Sequence, residues 1–321
     1  MFDEYPECSP EFLSQYSDED PSDCYTVDRI ENARPERNAA VTSLFIANCS
    51  NLFPNHNPCP SREEGGIWWT RYVAKLFESV AFFDTYHTFQ DWKLRIYLCP
   101  TLVDLIPRFL TRCPRVEFYI MKRPSVSHSP GTLWRFLPLE DTSLDLGCIF
   151  DCDDLVLYTL PCIDALRNSP NMGISRILPR ISEWIIPGVV MKYSAMWANS
   201  IIFRPSVLQI PFKRLLLQFI AYRKSVFASD APWQYPGQVE PTLYTAPSGH
   251  MHLFGWGNHW YNYNFDERVL KHVVYPYVIR KGVLQTTVFA PWKEDDPIEM
   301  KRDIEYVKSN PANEILELFT K

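Results

Sequence analysis

Leu146-Gly147-Cys148-Ile149-Phe150-Asp151-Cys152-Asp153-Asp154 decides how this chain is read. An apolar run of strand length stops abruptly in three carboxylates. Strands favour β-branched and aromatic residues, not clustered like charges. Carboxylates this close repel one another unless something positive sits among them. A hard divalent cation is the usual answer, because it takes oxygen ligands and bridges phosphates. The stretch therefore reads as a buried strand whose carboxyl end holds a metal and a phosphate ester, where open α/β sheets bind their ligands.

Composition narrows the partners. The chain has 321 residues, 46% hydrophobic and 15% aromatic, enough for one large core. A net charge of −6 argues against nucleic acid as the main partner, since phosphate backbones need a basic face. Nine cysteines without a C-x-x-C pair read as free thiols of a reducing compartment. The start, Met1-Phe-Asp-Glu-Tyr-Pro-Glu7, has neither a basic nor an apolar signal region. No apolar stretch is long enough for a transmembrane anchor. The expected location is the cytoplasm.

Outward from the aspartates, apolar runs and turn residues divide the chain. Residues 1–38 read as an acidic N-terminal extension, with order beginning near Ala39. Strands are expected at Val41–Ala47, Lys93–Leu98, Val116–Met121 and the run ending at Phe150. Helices are expected at Trp69–Phe83 and Leu102–Leu110, giving the βαβ alternation of a parallel sheet. A single helix is read from Pro130 to Leu137. Further helices are expected over Ile174–Ile186, Leu208–Phe227 and Asp266–Tyr275, the last closing at Pro276. Short strands are placed at Val189–Met191 and Ile201–Phe203. Residues 39–293 form the catalytic domain of this reading, and residues 294–321 a helical tail that includes Pro297–Val307.

At this point the chain resembles a known group. Leu133-Trp-Arg-Phe-Leu-Pro-Leu139, then Asp145, then Phe150-Asp-Cys-Asp153, is similar to the D-x-D region of GT-A-fold glycosyltransferases, in a style met in viral and bacterial members. Phe265-Asp-Glu-Arg-Val-Leu270 followed by Tyr275-Pro276 is a second echo, and Glu183-Trp184 with Ala195-Met-Trp197 a weaker third. The resemblance spans roughly residues 40–285. It departs at Met191-Lys-Tyr-Ser194, on the acceptor side.

The resemblance implies a GT-A, Rossmann-like fold: a mixed, mainly parallel central sheet flanked by helices in one catalytic domain. It implies transfer of a sugar from a UDP- or GDP-linked donor to a glycan or protein hydroxyl. Asp151 and Asp153 would hold Mn²⁺ or Mg²⁺, with His252 as a further ligand. Arg135 would brace the nucleotide or the aspartate loop, and Asn48 would lie near base and ribose. Asp266 and Glu267 would border the acceptor cleft, one as general base. A viral source would set the enzyme in the cytosol of an infected cell. Read from residues alone, alternatives stay open. The aspartates suit a metal-dependent phosphohydrolase or nucleotidyltransferase, or a solvated turn. Asp266-Glu267 suits an ordinary helix start, and Arg135 a surface ion pair. The aromatics around Trp256 suit glycan stacking or core packing, and a non-catalytic glycan-binding relative fits them. Dinucleotide, P-loop, serine-hydrolase and zincin signatures are missing.

Overall fold

A computed structural model describes residues 9–17, 23–45, 72–85, 89–125, 131–152, 163, 166–179, 198–199, 201–226, 242–245, 251–254 and 265–289. Its centre is an eight-stranded sheet. The strands are β1 (Val27–Glu31), β2 (Asn38–Leu44), β3 (Trp92–Leu98), β4 (Val116–Met121), β5 (Leu146–Ile149), β6 (Ile174–Pro179), β7 (Ile201–Phe203) and, after a separate hairpin of β8 (Thr242–Thr245) and β9 (Met251–Phe254), β10 (Leu284–Phe289). Their order is β1-β4-β3-β2-β5-β7-β6-β10. Only β1 and β7 run against the rest. The expected α/β architecture, a mainly parallel sheet flanked by helices, is what the chain adopts.

The alternation β2–α2–β3–α3–β4 builds outward from β2, with α2 at Ala74–Thr85 and α3 at Ile106–Arg112. The chain then returns past β2 and lays β5 on its other side. Strand order reverses between β2 and β5, and such switch points open a crevice at the strands' carboxyl ends. Phe150 and Asp151 leave β5 at that end.

The two sheet faces are built differently. On one, Phe109 of α3 packs on Phe118 of β4, and Phe77 of α2 stacks on Phe109 at 4.3 Å. On the other, Lys93 and Arg95 of β3 meet Glu117 of β4, all three nearly fully buried. Arg95 Nε donates to Glu117 Oε1 at 2.6 Å, and Lys93 Nζ lies 3.3 Å from Glu117 Oε2. Arg95 Nη1 donates to Asp141 at 2.6 Å, and its guanidinium lies over the Tyr119 ring. The alternation of Lys93–Leu98 thus looks half-solvated in sequence, yet both faces are buried, because each charge finds its opposite across the strand pair.

Other arginines fasten segments by their carbonyls. Arg204, just after β7, donates to the carbonyls of Leu166, Ser169, Pro170 and Met172. Arg115 serves Phe83, Asp84 and Trp92. A fixed fork of five donors suits such clamps. No helix among the described residues is long and apolar enough to cross a membrane.

Several expectations need correction. Order does not wait for Ala39: α1 (Pro10–Leu13) buries Leu13, Phe12 packs edge-on against Tyr222, and β1 pairs antiparallel with β4. The segment looks solvated because β1 is an edge strand whose Asp28, Arg29 and Glu31 blunt the open side. Ile174–Pro179 is a strand, not a helix. Its isoleucines at a spacing of three mimic helical periodicity, but six in-register pairs with β10 decide the matter. The single helix expected over Pro130–Leu137 is α4 (Gly131–Trp134) and then a 3₁₀ turn over Leu137–Glu140, since Pro138 has no N–H to continue an α-helix.

The long helix expected from Leu208 is split. A short α5 (Pro205–Leu208) stops at Gln209 in the left-handed region (φ 48°), and α6 runs from Phe212 to Val226. The helix from Phe265 does not close at Pro276. After α7 (Phe265–Val269) a π-turn over Leu270–Val274 widens the backbone, and α8 (Tyr275–Lys281) carries Pro276 in its first turn. Gly282 at φ 66° ends it. Val189–Met191, the helical tail and the third echo lie outside the described residues.

Glu117→Ala strands two buried cations and is expected to lower stability by roughly 3–5 kcal/mol in urea unfolding. A second outcome concerns acid. Burial works to raise the Asp141 carboxyl, but hydrogen bonds from Ser143 and Arg95 outweigh it and hold the group below the usual carboxylate range. A depressed folded value means stability present above the unfolded value of about 3.9 and lost as pH falls through the folded one. The stability gap between wild type and Asp141→Asn is expected at neutral pH and to shrink below about pH 4 in acid titration.

Candidate functional site

Asp151 sits two residues beyond β5, and local geometry explains why the strand ends there. Phe150 still donates its N–H to Val41 of β2 at 3.0 Å. On the other side, Ile149 pairs with Ile201 of the antiparallel β7. That register places Asn199 opposite Asp151. There the ladder is closed by a side chain instead of a backbone carbonyl: Asp151 N–H donates to Asn199 Oδ1 at 3.3 Å.

The carboxylate of Asp151 meets Arg135. This arginine follows α4, whose Trp134 is buried and donates its indole N–H to the Cys24 carbonyl at 2.7 Å. Phe45, just past β2, packs edge-on against Trp134 at 5.8 Å. A Cβ at Gly131 would run into the Phe45 ring, so glycine lets α4 come this close. With the turn so pinned, Arg135 Nη1 donates to Asp151 Oδ1. Its Nη2 donates to Asp266 Oδ2 at 3.0 Å.

Asp266 arrives from the far end of the chain. It lies in the first turn of α7, and Phe265 beside it is buried against Phe219 of α6. One guanidinium therefore joins the end of β5 to the start of α7. Side-chain exposures of 8% for Arg135, 14% for Asp266 and 32% for Asp151 make Asp151 the group that opens outward. Two carboxylates against one guanidinium leave the trio one negative charge in excess. Buried Arg135 Nε has no acceptor among the described residues, a donor whose desolvation is uncompensated there.

Three of the residues singled out in the sequence, Arg135, Asp151 and Asp266, thus come together. Asn48 and Asp153 lie outside the described residues. For Glu267 and His252 only the backbone is described: Glu267 in α7, and His252 on β9 opposite Tyr244. Among the described residues no group of three or more His, Cys, Asp or Glu side chains is set to hold a metal. Arg135 is not the surface ion-pair residue its type suggests, since it is buried between its partners. Asn199 is the member that sequence reading missed, because only the β5–β7 register reveals it. Among the described residues the outward-facing Asp151 carboxylate is one hard oxygen donor of the kind a divalent cation takes.

No family model matches the chain, and no curated protein does. Solved structures that match include S. aureus TarS 1-349 in complex with UDP, at 11% identity and TM-score 0.33, covering 58% of this chain and 55% of that one. Another is glucosyl-3-phosphoglycerate synthase from Mycobacterium tuberculosis with Mn²⁺, UDP and glucosyl-3-phosphoglycerate, at 10% identity and TM-score 0.37, covering 84% and 76%. A third is 4-diphosphocytidyl-2C-methyl-D-erythritol synthase from Anaerococcus prevotii, at 10% and 0.38, covering 88% and 97%. The chain spans about half the length of that S. aureus 1-349 structure. At these TM-scores the likenesses bear no weight on the site, whose reading rests on its own geometry.

The strand that carries Asp151 is itself tightly fitted. A Cβ at Gly147 of β5 would strike the Phe203 ring from β7. Gly147→Ala is therefore expected to cost about 1–3 kcal/mol by overpacking, read as a lowered midpoint in urea unfolding.

Proposed function

We propose that the chain is a metal-dependent glycosyltransferase, moving a sugar from a nucleoside-diphosphate sugar to a hydroxyl of a glycan or protein. The observation that carries this reading is the meeting of Arg135, Asp151 and Asp266 beside the β2–β5 reversal. There a strand's carboxyl end presents an acid at the switch point where open α/β sheets bind their ligands.

In this reading Asp151 and Asp153, with His252, hold Mn²⁺ or Mg²⁺. Bound there, the ion would neutralise the diphosphate as it departs, a contribution of several kcal/mol. Arg135 keeps Asp151 oriented on the donor side. Asn48, beyond β2, faces base and ribose, with UDP and GDP as the leading donors. The acceptor hydroxyl attacks the anomeric carbon. A new carbon–oxygen bond forms there as the bond to the diphosphate oxygen breaks, and the hydroxyl proton passes to a carboxylate of the Asp266-Glu267 pair.

Asp153→Ala is expected to abolish transfer and the Mn²⁺-dependent part of nucleotide binding. A thermal-shift panel of UDP- and GDP-sugars with and without Mn²⁺ checks it, since a bound ligand stabilises by mass action. Product analysis must find a glycosidic bond. Full activity of the variant with undiminished metal dependence would refute the assignment, and phosphate release without a glycosidic product would favour a hydrolase.

A further inference from the structure

We infer that Asp266 and Asn199 are positioning residues that act on Asp151, Asp266 through Arg135 and Asn199 through the Asp151 backbone. The inference rests on the nucleotide-sugar reading above and deepens it: of the carboxylates at the start of α7, Asp266 holds the donor side in place.

Three observations converge on Asp151. Its N–H is held by Asn199 Oδ1, in the place where the β5–β7 register would put the next ladder bond. Its Oδ1 is held by Arg135 Nη1. The other arm of that fork, Nη2, is held by Asp266 Oδ2 at 3.0 Å. Among the described residues the side-chain hydrogen bonds of Arg135 go to Asp151 and Asp266. Its head is aimed by the two carboxylates, and the carboxylate farther from solvent is Asp266.

Asp266 Oδ2 is therefore already engaged, in a nearly dry contact between the start of α7 and the end of β5. A residue whose oxygen is spent on a buried guanidinium sets geometry, and a bidentate fork sets it in two directions at once. Asn199 does the same for the main chain. By taking the Asp151 N–H with a side chain, it ends the ladder and turns residue 151 out of the sheet. Groups that orient metal ligands from behind typically matter 10–100-fold for metal affinity.

The test is equilibrium binding of Mn²⁺ with UDP and of Mn²⁺ with GDP to the full chain, by calorimetry, together with steady-state kinetics. Variants are Asp266→Asn, Arg135→Lys and the double variant. Expected are about tenfold weaker Mn²⁺–nucleotide binding for each single variant and a raised donor KM. The double variant is expected to be no weaker than the worse single, because both act along one path. Undiminished binding by Asp266→Asn with a collapsed kcat would overturn the inference, as would losses that simply add.

If wild type binds neither nucleotide with Mn²⁺, the nucleotide-sugar reading falls and takes the inference with it. If wild type binds and Asp266→Asn binds equally well, only the inference falls. Should Asp266→Asn fail to fold, Asn199 carries the test. Asn199→Ala is expected to bind about tenfold more weakly and Asn199→Ser, which keeps an acceptor oxygen, to recover part of the loss. Equal binding by Asn199→Ala and wild type overturns the proposal.

Discussion

A single guanidinium shared by two carboxylates is the contact on which the site depends. Arg135 joins Asp151, at the end of a central strand, to Asp266, at the start of a helix from the far end of the chain. Without it, two acids would face each other in a largely dry place and repel. With it, the start of α7 is registered against the carboxyl end of β5. The charge left over is one negative unit, which a cation or a donor of hydrogen bonds can meet.

The sheet beneath that contact is braced by buried charge. On β3 and β4, Arg95, Lys93, Glu117 and Asp141 form a closed set of opposite charges inside the fold. Such a set adds little net stability over apolar packing, but a missing member is costly. Asp141 lies just beyond the 3₁₀ turn that follows Arg135. The buried cluster and the site therefore share one short stretch of chain, from Trp134 to Asp141. Tight packing does the same on the other side of the site, where the Phe203 ring lies over Gly147 and a methyl group would not fit.

Much of this was legible in the sequence, for identifiable reasons. Trp92–Leu98 alternates, Val116–Met121 and Leu146–Ile149 are mostly apolar, turn residues bound them, and all three are strands. Asp151 stood out as charge at the end of an apolar run, Arg135 and Asp266 through the resemblance, and all three meet. What was not legible depends on partners distant in sequence. Ile174–Pro179 looked helical until β10 paired with it. The edge strand Val27–Glu31 looked solvated because three of its five residues are exposed. Pro276 looked like a stop, yet a π-turn before it makes room for the ring. Asn199 carries no local signal at all, and its role appears only when β7 is laid beside β5.

The most direct measurement is anomalous diffraction at the manganese edge from crystals grown with Mn²⁺ and UDP or GDP. The account expects one strong peak at the carboxylates of Asp151 and Asp153, with Arg135 still bridging to Asp266 and the nucleotide in the crevice beside β2 and β5. A peak elsewhere, or an ordered nucleotide bound away from that crevice, would contradict it.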